Sequence, residues 1–130
     1  DYMKYLKPFN ESVKYDPHED PQIKSHIETI SDLFIDVVDE FDLYKRNSLF
    51  DSIYYYDIFH WEYYSARVNT KPVGSTKIRL VIKDTPEREY RIGESKSFLG
   101  FLSTLRSIGY DAIPHIDSGI FYDIDYSNLI

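Results

Sequence analysis

Apolar residues recur along the first half of the chain at Ile23, Ile27, Ile30, Phe34, Val37 (with Val38) and Phe41. Steps of three and four place them on one side of a helix. Asp20 supplies an N-cap, and Pro21 takes the first helical position, where its missing N–H costs nothing. Glu28, Asp32, Asp36, Asp39 and Glu40 fall largely elsewhere on the wheel. The pattern predicts a helix over about 21–42. The segment 53–65 is dense in aromatic and β-branched residues and reads as a strand, with Asp57 marking a bend or bulge between Tyr54–Tyr56 and Phe59–Tyr64. Residues 76–83 alternate, with Ile78, Leu80 and Ile82 on one face and Lys77, Arg79 and Lys83 on the other.

Asp84-Thr85-Pro86-Glu87 reads as a turn, and Arg88–Ile92 as the returning arm of a hairpin. Ser95 or Ser97 then caps a second helix over about 96–108, striped by Phe98, Leu102, Leu105 and Ile108 and closed by Gly109. Gly119 and Pro114 break an apolar tail, which predicts a short strand over about 119–125 docked on the domain. The expected class is α+β: a twisted antiparallel sheet packed by an N-terminal and a C-terminal helix, with a short C-terminal strand. A single domain over 1–130 divides into an extended arm (1–20), a core (21–110) and a docked tail (111–130).

Composition narrows the function classes. At 130 residues with 42% apolar and 17% aromatic residues, the chain supports one folded core. It has no Cys, which excludes disulfides, thiolate metal sites and a cysteine nucleophile. The formal net charge of −7 argues against a general nucleic-acid binder. No apolar run approaches the roughly 20 residues that span a bilayer, so membrane insertion by this segment is not expected. The charge is uneven: the first half is acidic, residues 71–106 are basic, and the tail beyond them carries no Lys or Arg. The chain opens on Asp1, so an upstream signal or anchor is allowed, with the cytoplasm the favoured compartment. Oligomeric state is open.

Catalytic and metal motifs are sparse. No Gly-rich phosphate loop and no Gly-x-Ser-x-Gly elbow occur. His18-Glu19-Asp20, His115-x-Asp117 and Asp123-x-Asp125 are local groupings of cation-binding type, each common by chance. Glu94-Ser95-Lys96 matches half of a metal-dependent nuclease pattern that also needs an Asp, but the nearest upstream Asp, Asp84, falls at the far end of the expected hairpin. Neither a cofactor nor a catalytic residue is expected. The basic set Lys77, Arg79, Lys83, Arg88 and Arg91 offers lipid phosphate as a further ligand.

Tyrosine is the unusual residue: 13 in 130, including Tyr54-Tyr55-Tyr56 and Tyr63-Tyr64 after Trp61. On a strand, Tyr54 and Tyr56 share one face and Tyr55 takes the other. Rings that bury area and keep a polar tip are interface anchors. The expected function is a non-enzymatic protein-binding domain of inhibitor, immunity or regulatory kind. Its expected anchors are Tyr54, Tyr55, Tyr56, Trp61, Tyr63 and Tyr64, and Asp32, Asp36, Asp39 and Glu40 are expected to steer a basic protein partner. A metal-dependent hydrolase with an unrecognised acidic site is the rival from another class.

Residues 53–110 also resemble the bacterial pleckstrin-homology-like domains of many Gram-positive proteins. Tyr56-Asp57-Ile58, Trp61-Glu62-Tyr63, the expected hairpin 77–83 with 89–92, and the helix 97–108 carry the resemblance. It implies a twisted antiparallel sheet closed by a C-terminal helix, and a sensor domain of a larger membrane-anchored protein. It implies no catalytic residues.

Overall fold

A computed structural model describes residues 20–47, 49, 52–61, 67–68, 71–72, 75–116 and 119–129. Helix α1 spans Pro21–Phe41, with the Asp20 carboxylate accepting from the N–H groups of Gln22 and Ile23. Ile23, Ile30, Phe34 and Val37 form its buried stripe. Strand β1 (Tyr55–His60) follows, then the two-residue strands β2 (Arg67–Val68) and β3 (Lys71–Pro72), which pair with each other. Strand β4 is Lys77–Lys83. Helices α2 (Pro86–Gly93) and α3 (Lys96–Ile108) lead to β5 (Asp111–Pro114), β6 (Ile120–Asp125) and a closing 3-10 turn at Ser127–Leu129.

The main sheet has the order β1-β4-β6-β5, all antiparallel. It is open, with β1 and β5 at its two edges. Ile58, Ile78, Leu80, Ile82, Ala112, Ile120 and Ile124 are buried on its inner face. Phe34 of α1 meets Phe101 of α3 at 5.0 Å and Tyr56 at 5.4 Å between ring centroids, so both helices lie over that face. This is the expected α+β arrangement. No helix among the described residues is long and apolar enough to cross a membrane.

Several expectations are corrected. Arg88–Ile92 is not a hairpin arm but part of α2. Thr85 Oγ1 accepts from the Arg88 N–H, Pro86 opens the helix, and Glu87 and Glu89 sit in its first turn, where the helix dipole favours acids. The arm also has no place to pair, because β4 is flanked by β1 and β6. Of the features behind the family resemblance, the strand 77–83 and the helix 97–108 stand, and the second arm is helical. No bulge occurs at Asp57, which pairs in register with Val81. Tyr54 precedes the strand, so it does not share a strand face with Tyr56. The tail contributes two strands, and β6 is an interior strand, not a docked fringe. The arm 1–19 lies outside the described residues.

Both edges of the sheet are blunted. On β1, the Tyr56 backbone N–H donates to Tyr44 O and its carbonyl accepts from the Arg46 N–H, while Asp57 Oδ1 takes the Ile58 N–H. On β5, the Arg106 guanidinium donates to Ala112 O, and Pro114 has no N–H to offer. Strand addition by a second chain is disfavoured by such devices.

Candidate functional site

Alternation sends Tyr56, Ile58 and His60 of β1 inward and Tyr55, Asp57 and Phe59 outward. Tyr56 packs against Phe34, and burial raises its phenol pKa, helped by the nearby Asp57 charge. It belongs to the core. Cross-strand register then assembles the outer face in rows: Tyr55 opposite Lys83; Asp57 opposite Val81, which faces Phe121; Phe59 opposite Arg79, which faces Asp123 and then Ile113. Trp61 continues the series, its backbone N–H donating to Lys77 O.

The middle of that face holds a charged cluster. Arg79 Nε donates to Asp123 Oδ1 at 3.0 Å, and His115 Nε2 donates to Asp123 Oδ2 at 2.5 Å. Asp123 is only 5% exposed. Desolvation works to raise its pKa, but the Arg79 and His115 hydrogen bonds and charges outweigh it and hold the carboxyl below its ordinary value. The Arg79 guanidinium lies 3.6 Å from the Trp61 ring centroid and 4.4 Å from that of Phe121, so one cation is sandwiched between two rings. His115 leans on Phe121 at 4.6 Å.

The β1 end of the face is built by the segment after α1. Asp42 adopts a left-handed conformation (φ 52°) and its N–H bonds Val38 O, turning the chain off the helix. Lys45 then bridges to Tyr56 in parallel, which brings the Arg46 guanidinium to 5.2 Å from the Tyr55 ring. Arg88 pins the floor, with Nη2 donating to Phe41 O at 2.6 Å and Nε to Asp84 Oδ2 at 2.9 Å. Three grooves of about 350, 280 and 300 Å³ open here. Tyr55 lines all three. The first runs past Leu43, Tyr54 and Arg88, the second past Tyr44 and Lys45, and the third onto the sheet between Arg46, Phe59, Lys83 and Phe121. Tyr44 is 75% and Tyr54 43% exposed at the rim.

The sequence-predicted site is thereby divided. Tyr54 and Tyr55 line the grooves, Trp61 sits beside Arg79 farther along the face, and Tyr63 and Tyr64 lie outside the described residues. Asp32, Asp36 and Asp39 are exposed on the side of α1 opposite its buried stripe. The sheet is packed beneath that stripe, so these acids and the sheet's outer face lie on opposite sides of the molecule. Glu40 accepts from Ser97 Oγ at 2.9 Å and ties α1 to the start of α3. The basic set is divided too: Lys77, Arg79 and Lys83 belong to β4, whereas Arg88 and Arg91 belong to α2.

The described members of the candidate cation groupings have other partners. Asp20 caps α1, and Ser95 of Glu94-Ser95-Lys96 caps α3. Asp125 accepts from Thr76 Oγ1 and the Ser127 N–H, which hold its pKa down despite desolvation. His18, Glu19 and Asp117 lie outside the described residues. Among the described residues no three His, Asp or Glu side chains gather to hold a metal ion.

Sequence reasoning missed Arg46, Lys83 and Phe121 as groove residues and the Arg79–Asp123–His115 cluster. Alternation in 76–83 placed Arg79 and Lys83 on one face, but nothing local pairs them with β6. No family model matches the chain, and no curated protein or solved structure matches it.

Proposed function

We propose that this chain is a non-catalytic protein-binding domain, of inhibitor, immunity or regulatory kind, and that it engages its partner through the Tyr55 grooves and the adjoining outer face of the sheet. The observation that carries this reading is the convergence of three grooves on one half-buried tyrosine flanked by Arg46 and Lys83. Tyr and Arg are the residue types that dominate interface energetics, because they desolvate large area and still hydrogen-bond. A partner side chain seated on Tyr55 would be ringed by Tyr44, Tyr54 and Phe59.

Blunted edges favour this mode over strand addition, since they leave side chains, not backbone, to make the contact. The acids of α1 act at a distance. Asp32, Asp36 and Asp39 point away from the outer face of the sheet, so they act on a partner bound to that face through the overall field.

The test is affinity capture from the source cell with three baits: wild type, Tyr55→Ala, and Asp32→Asn/Asp36→Asn/Asp39→Asn. The first and third should recover the same partner and the second should lose it. Equal recovery by Tyr55→Ala, with its thermal melt unchanged, refutes the reading. Loss with the Asn variant alone would move the interface to α1.

A further inference from the structure

Resting on that reading, we infer that the segment entering the groove is an extended acidic stretch of the partner, with its carboxylates against Arg46 and Lys83. The local charge is opposite to that of the whole chain. Within a molecule of net charge −7, the second and third Tyr55 grooves are lined by Lys45, Arg46 and Lys83 and by one acid, Asp57, whereas the first carries Asp42 and Asp84 with Arg88 and is not the cationic part of the site. All three cations are exposed, and no ion pair forms on them among the described residues. The Asp57 carboxylate is already engaged with the Ile58 N–H.

Two of the cations are placed for the task. Lys83 stands directly across from Tyr55 in the β1–β4 register, and Arg46 lies over the same ring. A carboxylate between them would gain two charged donors, and the next residue's side chain would fall on the Tyr55–Phe59 wall. A bidentate guanidinium and a flexible ammonium suit a carboxylate in a partly desolvated groove.

The far end of the face decides against a long polyanion. From the Tyr55–Lys83 row the strands run to the row where Lys77 pairs with Asp125, itself opposite Asp111. That is about six residues at roughly 3.3 Å each, on the order of 20 Å. The face therefore runs from cationic, through apolar Val81 and Phe121 and the paired Arg79 and Asp123, to a last row in which two carboxylates face one Lys. A nucleic-acid strand, charged at every nucleotide, would end against carboxylates; a peptide acidic at one end only would not.

The experiment is an NMR titration of the whole chain with three probes: a short peptide of glutamates followed by leucine and phenylalanine, the same peptide with lysines in place of glutamates, and a short oligothymidylate. The glutamate peptide should shift the amide signals of Arg46, Tyr55 and Lys83 and weaken as salt is raised. Arg46→Gln/Lys83→Gln should weaken it at least tenfold, while its melting temperature stays at the wild-type value. Binding of the lysine peptide as tight as or tighter than that of the glutamate peptide overturns the inference. So does preferred binding of the oligothymidylate, an unweakened double variant, or no shift with any probe. If the inference fails while Tyr55→Ala still loses the captured partner, the protein-binding reading stands and only the acidic chemistry is wrong. If Tyr55→Ala captures the partner unchanged, that reading fails as well.

Discussion

The Asp123 cluster offers a measurable test of how the outer face is held. Asp123→Ala removes the carboxylate shared by Arg79 and His115, whose side chains are 13% and 35% exposed. Taking one partner from a buried ion pair costs about 3–5 kcal/mol, because the other charge is left without compensation. Here the loss is smaller. Arg79 keeps its place between Trp61 and Phe121, and each such contact is worth about 1 kcal/mol when partly desolvated. We expect a loss of about 2–3 kcal/mol, or on the order of 10 °C in melting temperature for a domain of this size. Arg79→Met keeps much of the packing between the rings and removes the charge. In a double-mutant cycle the two substitutions should couple by about 1 kcal/mol or more. The assay is urea unfolding followed by the fluorescence of Trp61, the only tryptophan in the chain, whose ring lies against the Arg79 guanidinium. Emission should also change in the folded Asp123→Ala protein, because the guanidinium that stays against the indole loses its neutralising carboxylate. The pH dependence has a definite sign. A carboxylate whose folded pKa is depressed adds stability above its unfolded pKa of about 3.8, and that stability is lost as pH falls through the lower folded value. The variant should lack this acid-dependent loss. Costs that add to within about 0.5 kcal/mol, with unchanged emission, would show that the pair does not organise the face.

Two further outcomes follow from the helical layer. His26 Nδ1 lies 2.8 Å from the Tyr110 hydroxyl, its ring stacks on Tyr126 at 4.3 Å, and burial lowers its pKa from the usual 6.5. The unfolded chain takes up the proton more readily, so stability should fall as pH drops below about 6.5 and level off beneath the folded value. His26→Phe should reduce this decline in urea midpoints between about pH 7.5 and 5, and an undiminished decline would assign it to other groups. Gly109 closes α3 at φ 121°, and a Cβ there would stand 2.8 Å from Leu129 Cδ2. Gly109→Ala should cost about 1–2 kcal/mol in thermal melts, and adding Leu129→Ala should not restore stability, because the backbone strain remains. A neutral Gly109→Ala would contradict that account.

Local chemistry settled the helices that carry their own signals. Asp20-Pro21 and the spacing from Ile23 to Phe41 specify α1, and Ser95 with Gly109 specifies α3, because capping and period act within a few residues. The inner face of β4 was legible for the same reason. Thr85-Pro86-Glu87 shows where local chemistry stops deciding. It suits both a turn and a helix start, and the choice fell to the helix once β1 and β6 took both sides of β4. Asp111–Pro114 shows it again: four residues with a terminal proline carry little strand signal, and pairing with β6 makes them a strand. The proposed binding face belongs wholly to this second kind. Arg79 and Asp123 are separated by 44 residues, and Arg46 reaches Tyr55 only because residue 45 bridges to Tyr56. Composition revealed that rings and acids were plentiful. Whether they met depended on strand order and on which side the helices covered, and these are set by long-range burial that no local window contains.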